Sequence, residues 1–299
     1  MAAYLFVHFT GEKTGGEQVY FAVSRDGLHW QDLHGEQPVL RSDLGDKGVR
    51  DPYIVRHPVT GMYHLIATDL CMHTRQHDWN GAVHAGSRDV IIWDSPDLVN
   101  WSAPRAVTVA PEGAGCAWAP EAVWDADKQA FLLFFASYTE EADGGRHRIY
   151  AAYTADFVTF EPTFKYIERA CSVIDTTIVW ENGMYYRFSK DEVSKHIQVD
   201  QGAKLTGDFT LVDCPVLDAM PGLEGPECYQ LPDGRWCLIC DQYAAGKGYL
   251  PILIDDLTRM DPKPMQPGEY DLGHALKRHG GVLQIDDEAY ERLVRHYGL

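Results

Sequence analysis

Asp51-Pro-Tyr-Ile-Val55, Tyr63-His-Leu-Ile-Ala-Thr-Asp69, Asp89-Val-Ile-Ile-Trp-Asp-Ser95 and Asp97-Leu-Val-Asn-Trp101 follow one another within residues 51–101. The first three are apolar runs of strand length, and the fourth is a turn residue leading to an aromatic. This order recurs along the chain. Runs of the first kind return as Ala119-Pro-Glu-Ala-Val123, Asp175-Thr-Thr-Ile-Val179, Gly225-Pro-Glu-Cys-Tyr229 and His279-Gly-Gly-Val-Leu283, their starts 68, 56, 50 and 54 residues apart counting from Asp51. The second kind returns at Phe131–Ser137, Tyr185–Asp191 and Trp236–Gln242. The third is found at Gln18–Ser24, Arg148–Thr154, His196–Gly202 and Tyr249–Asp255. The turn phrase reappears as Asp26-Gly-Leu-His-Trp30 and Asp156-Phe-Val-Thr-Phe160, then in degenerate form as Gly207-Asp-Phe209 and Asp256-Leu-Thr-Arg-Met260.

A unit of about 50 residues with four short strands has the size of a propeller blade, and five copies predict an all-β, five-bladed β-propeller. The ends agree with that count. The N-terminus opens on a run of the second kind, Tyr4–Thr10, with none of the first kind before it; His279–Leu283 supplies the missing strand. Pairing of the C-terminal strand with the N-terminal blade is expected to close the ring and remove an exposed edge, making residues 1–299 one domain. A β-sandwich would not explain this circular permutation of strand types.

Composition narrows the function. Against 26 Lys and Arg stand 44 Asp and Glu, a net charge of −18, the reverse of what a phosphate-neutralising surface needs. Nucleic acid and anionic membrane are therefore not expected partners. No apolar run reaches the ~18 residues of a membrane span. Met1–Thr10 lacks a basic n-region and a long apolar core, so it does not read as a secretory signal. Seven cysteines scattered from Cys71 to Cys240 make no disulfide framework. The expected location is the reducing cytoplasm, or outside the cell if the chain is excised from a longer precursor. Cys237-Leu-Ile-Cys240 has metal-like spacing but lies in an apolar strand, where residues three apart face opposite ways. His73 and His77 would need a helix to share a metal, and their surroundings do not predict one.

In a propeller the first strand of every blade lines the central channel. Aligning those strands gives one ring of Asp51, Ala119, Asp175, Gly225 and His279, and a ring one residue earlier of Arg50, Trp118, Ile174, Glu224 and Arg278. Three carboxylates from three blades thus share one depth. An inverting glycoside hydrolase needs one carboxylic acid for the leaving oxygen and one carboxylate for water, ~6.5–9.5 Å apart. A third carboxylate nearby keeps the acid protonated by repulsion. Asp before Pro or Thr is also ordinary turn chemistry; its coincidence on equivalent blade positions favours function.

The phrases Arg50-Asp-Pro-Tyr-Ile-Val55, Trp118-Ala-Pro120, Ile174-Asp-Thr176, Glu224-Gly-Pro226 and Arg278-His-Gly280, one per blade across nearly the whole chain, resemble the family-43 glycoside hydrolases. That is the five-bladed propeller family of arabinofuranosidases, β-xylosidases and arabinanases. The resemblance implies Asp51 as general base, Asp175 as pKa modulator and Glu224 as general acid, in a single displacement without cofactor. His279 matches a histidine that in many relatives faces a metal ion or water cluster, so a structural Ca²⁺ near it is a candidate. The family phrase on the third blade reads Asp-Pro, where this chain has Asp175-Thr176. Trp118 can stack on a sugar or fill a blade interface. Trp79, in an inserted polar stretch, can wall the pocket or pack on its neighbour, while Arg278 can hold a substrate hydroxyl or neutralise carboxylates. Trp30 and Trp101 read as structural plugs. The expected substrate is an arabino- or xylo-oligosaccharide cut from its end, with α-L-arabinofuranose ahead of β-D-xylose. Two rivals stand beside this reading. A retaining fructan or sucrose hydrolase would need an Asn-Asp-Pro phrase absent from the first 50 residues; a non-catalytic sugar-binding propeller would not need the carboxylate trio.

Overall fold

The computed structural model describes residues 2–299, and among these twenty strands form five four-stranded sheets. The first sheet starts with β1 (Ala2–His8), β2 (Tyr20–Ser24) and β3 (Trp30–Asp32). The second is β4 (Val49–Arg56), β5 (Tyr63–Asp69), β6 (Asp89–Ser95) and β7 (Arg105–Thr108). The third is β8 (Trp118–Asp125), β9 (Ala130–Thr139), β10 (Arg146–Thr154) and β11 (Phe164–Ile167). The fourth holds β12 (Val173–Glu181), β13 (Met184–Asp191), β14 (Ile197–Gly202) and β15 (Thr210–Val212). The fifth holds β16 (Glu224–Gln230), β17 (Trp236–Asp241), β18 (Tyr249–Ile254) and β19 (Lys263–Pro264). The last strand, β20 (Gly280–Asp286), lies antiparallel to β1 from Ala2↔Asp286 to His8↔Gly280 and becomes the inner strand of the first sheet.

Each sheet buries both faces against its neighbours, which is why the second strand of a blade reads as an unbroken apolar run. All seven residues of β5 are buried. Successive residues of that strand serve different interfaces: Leu65 packs with Phe21, Ile91 and Trp93, whereas Ile66 packs with Phe131, Phe135 and Phe157. Further cores join the third and fourth sheets through Phe134, Tyr153 and Ile178, and the fourth and fifth through Phe188 and Leu238. The ring is completed where Tyr4, Phe6 and Trp30 meet Tyr229, Ile239 and Tyr249. Removing a buried ring such as Phe134 from one of these seams costs about 3–5 kcal/mol.

The recurring turn phrase has a local cause. Asp26 Oδ1 accepts the N–H groups of Leu28 and His29, Asp97 Oδ1 those of Val99 and Asn100, and Asp156 Oδ1 those of Val158 and Thr159. Trp30, 3% exposed, is locked into a blade seam, and Trp101 packs against another. Cys237 and Cys240 fall into different seams, and all seven cysteines are free thiols. Among the described residues no helix is long and apolar enough to cross a membrane. One short helix, Trp79–His84, does occur in the inserted stretch, capped by Asp78 accepting the Gly81 N–H at 2.9 Å. His73 and His77 precede it rather than sit on it.

Candidate active site

Four inner strands carry the same defect at the same place. The β4–β5 ladder pairs Arg50 with Thr68 and next Tyr53 with Ile66, so Asp51 and Pro52 together oppose one residue. Equivalent shifts occur between Trp118 and Glu121, Ile174 and Thr176, and Glu224 and Glu227. At each of these bulges one residue turns left-handed: Asp51 at φ 50°, Ala119 at 47°, Asp175 at 49° and Gly225 at 53°. In a regular strand neighbouring side chains point to opposite faces, so members of the two sequence rings could not share a pocket. The bulge breaks that alternation and re-aims the chain. Arg50 and Asp51 accordingly line one cavity, as do Ile174 and Asp175. Pro52, Pro120 and Pro226 fit because the ladder is interrupted there and a missing N–H is not felt.

The cavity at the channel mouth, about 450 Å³ including space open to solvent, is lined by Phe9, Arg50, Asp51, Leu70, Trp79, Trp118, Ile174, Asp175, Glu224 and His279. It therefore gathers Asp51, Asp175, Glu224, Trp118, Trp79 and His279; Arg278 stands behind Glu224, donating to its Oε1 at 3.0 Å.

The three carboxyl groups have different surroundings. Asp51 Oδ2 accepts from Thr68 Oγ1 at 2.9 Å, and its Oδ1 lies 3.5 Å from His279 Nδ1. Thr68 is itself oriented by the Ala119 N–H, 2.8 Å from its hydroxyl oxygen. Asp175 is 7% exposed, accepts the Gly225 N–H at 3.0 Å and lies 3.9 Å from His279 Nδ1. Burial, helped by the charges of Glu224 and Asp51 and opposed by His279 and Lys190, pushes its pKa up to about 6. Glu224 has both oxygens taken by cations, Arg278 at Oε1 and Lys190 Nζ at 2.8 Å from Oε2. Arg278 is anchored in turn through Nε on Asp241, whose side chain is fully buried. Burial raises the Asp241 carboxyl to about 6 despite that partner.

Trp118 packs at an interface and also lines the cavity. It stacks on His147 with centroids 5.1 Å apart, packs beside the Leu70–Met72–Ala82 cluster, and still faces the cavity. Trp79, 42% exposed, meets it edge-on at 6.2 Å and lies under the Arg50 guanidinium. Arg50 is held by Glu12 at 2.9 Å and by the buried Glu17 at 3.1 Å. Glu17 also accepts the Met72 and His73 N–H groups, which fixes the insert bearing Trp79.

Two residues further along the same inner strands stand Tyr53, Glu121, Thr177 and Glu227. Glu227 accepts the Val282 N–H at 2.8 Å and Thr177 Oγ1 at 3.4 Å; Glu121 Oε2 is buried without a partner. Burial raises both carboxyls, and each charge would raise the other further.

Ca²⁺ takes six to eight oxygens at ~2.3–2.6 Å. His279 offers a nitrogen, and the two carboxylates facing it at 3.5 and 3.9 Å are already oriented by Thr68 and Gly225. These residues do not build that shell by themselves. Among the described residues the one group of three acids with mutually close oxygens is Glu141 and Asp143, in the loop between β9 and β10, with Glu168 just after β11, neutralised by Arg146, Arg148 and Lys165.

Lys190, Asp241 and Thr68 are residues of the site that no sequence motif marks. They share a signal all the same: Thr68 pairs with Arg50, Lys190 with Ile174 and Asp241 with Glu224, each one strand out from the inner ring.

Comparison with known proteins bears on the family and the fold. A family-43-related model described as "Probable glycosyl hydrolase domain" matches residues 1–291. An alpha-L-arabinofuranosidase of Bifidobacterium longum subsp. longum is 30% identical over 258 residues, covering 76% of this chain and 23% of that protein. The chain thus spans about a quarter of the length of that curated relative. Among solved structures, an endo-1,4-beta-xylanase from Bacteroides thetaiotaomicron superposes with TM-score 0.61 at 14% identity, covering 91% of this chain and 93% of that one. An exo-beta-1,3-galactanase from Phanerochaete chrysosporium superposes with TM-score 0.62 at 12% identity, covering 89% of this chain and 60% of the other. At these identities the two structures speak for the fold alone.

Proposed function

This chain belongs to the family-43-related glycosyl hydrolases, and from that premise we propose that it is an inverting, exo-acting glycosidase releasing a terminal pentose, α-L-arabinofuranose before β-D-xylose. One observation carries the mechanism: three bulges bring Asp51, Asp175 and the Glu224 strand to a single small cavity in which each carboxyl has different partners. Asp51, fixed by Thr68, takes a proton from a water on one face of the anomeric carbon. Glu224 gives its proton to the departing oxygen on the other face as the C1–O bond breaks. Asp175 lines the same cavity and orients the site through the Gly225 N–H and His279. Trp118 and Trp79 offer apolar faces to the sugar rings at the mouth. No step is assigned to a metal ion.

The pentose preference rests on the relative from Bifidobacterium longum, named an alpha-L-arabinofuranosidase. A panel of nitrophenyl glycosides with the Asp51→Asn variant as control tests the reading. Turnover of a pentoside by the parent, reduced at least ~10²-fold in Asp51→Asn, is expected. Cleavage of sucrose alone, or undiminished turnover in the variant, would discard it.

A further inference from the structure

Resting on that reading, the geometry points to a further positioning residue: we propose that Lys190 is a mobile counter-ion that leaves Glu224 Oε2 for Glu192 when Glu224 is protonated and returns once the proton has been given away. A proton on Glu224 would face two cations already seated on its oxygens, Arg278 at Oε1 and Lys190 at Oε2, and their like charges favour one of them drawing back. The arrangement seen is the one an acid reaches after donating. Retreat of one cation eases the next protonation.

The surroundings decide which. Arg278 is pinned through Nε to the buried Asp241, lies over the Phe9 ring and has a planar, fixed set of donors. Lys190 is a rotatable point charge at the end of β13, with 4% of its side chain exposed. It has a second seat ready: Glu192 Oε1 lies 2.7 Å from its Nζ, and the Tyr243 ring flanks it at 4.2 Å. Glu192 is itself kept in place by Lys195 at 2.7 Å. A short swing of the ammonium therefore frees one oxygen of Glu224 without leaving a charge unpaired in the interior.

The step balances. The Glu224 O–H bond breaks, its proton goes to the glycosidic oxygen, and the electrons of the C1–O bond go with that oxygen. The carboxylate left behind receives the Lys190 ammonium, which stays protonated throughout. Water supplies the new C1–O bond and loses its proton to Asp51; Asp51 later releases that proton to solvent, and solvent reprotonates Glu224.

Lys190→Met tests this on two aryl pentosides, one with an activated dinitrophenolate leaving group and one with a poor phenolate. With the poor leaving group kcat is expected to fall about tenfold, one pKa unit's worth of lost charge stabilisation, with KM within twofold. With the activated leaving group, which needs little protonation, kcat is expected to stay within twofold. Glu192→Gln, which removes the second seat, is expected to give the same leaving-group pattern. Equal loss on both substrates, or no loss on either, overturns the proposal. Glu224→Gln assayed in parallel separates the two claims. If that variant shows no leaving-group selectivity, the acid assignment fails; if it does and Lys190→Met does not, only the counter-ion role fails.

Discussion

Gly225→Ala is the substitution that most directly probes the bulge as the device that builds the site. A Cβ at Gly225 would sit 2.6 Å from His279 Cγ and 2.9 Å from its Cβ and Cδ2, on a backbone at φ +53°. Carbon atoms pack at about 3.5–4.0 Å, so the imidazole must retreat by roughly 1 Å. The left-handed backbone costs an alanine about 1 kcal/mol, and overpacking a buried ring about 2 more. For a chain of this length about 3 kcal/mol lowers Tm by roughly 6 °C. Because His279 faces both Asp51 and Asp175, a displacement of that size is expected to cut kcat about 10²-fold. Ala119→Gly is the matched control: Ala119 holds the same left-handed backbone at φ 47°, so losing its Cβ should leave stability within about 1 kcal/mol and activity intact. Thermal melts and aryl-pentoside kinetics on both variants, and on Gly225→Ala in a His279→Ala background, complete the cycle. In that background the ring contacts are gone but the Cβ of residue 279 remains 2.9 Å away, so the cost of Gly225→Ala should shrink yet stay above the backbone part alone. Full additivity, or a Gly225→Ala protein with parental Tm and rate, would refute the reasoning.

Two more expectations concern the channel. Glu121 and Glu227 hold their protons to higher pH folded than unfolded, so above about pH 4.5 the folded state binds more protons and stability falls as pH rises toward and past neutrality. Glu227→Gln keeps the Val282 and Thr177 neighbours but cannot ionise, and urea melts across pH should show the slope flattened by up to about 1.4 kcal/mol per pH unit; an unchanged slope contradicts the buried-pair picture. Trp118→Ala removes the stacking face beside His147, and KM for an arabino-oligosaccharide should rise several-fold while kcat for a small aryl pentoside changes less. A fall in kcat alone would place Trp118 in support of the chemistry rather than of the sugar.

Much of this architecture is legible in the linear chain, for a physical reason. Five blades repeat one packing problem, so Tyr63–Asp69 and its equivalents repeat one apolar pattern, and Asp26, Asp97 and Asp156 repeat one turn. The grouping of Asp51, Asp175 and Glu224 follows from the same periodicity. What the pattern does not convey is the left-handed backbone at Asp51, Ala119 and Asp175, because no glycine marks it; only Gly225 does. Lys190 and Asp241 escape notice because their importance lies in cross-strand register, a relation between distant segments rather than a local motif. The helix Trp79–His84 is missed because six residues cannot display a helical period, and its Asp78 cap is the one sequence cue.

The proton NMR spectrum of the first sugar released, recorded before mutarotation, tests the central claim most directly. Single displacement between Asp51 and Glu224 predicts a product whose anomeric configuration is inverted relative to the substrate. A retained configuration would mean that a side chain attacks the sugar itself, and the assignment of Asp51 as a base acting through water would be wrong.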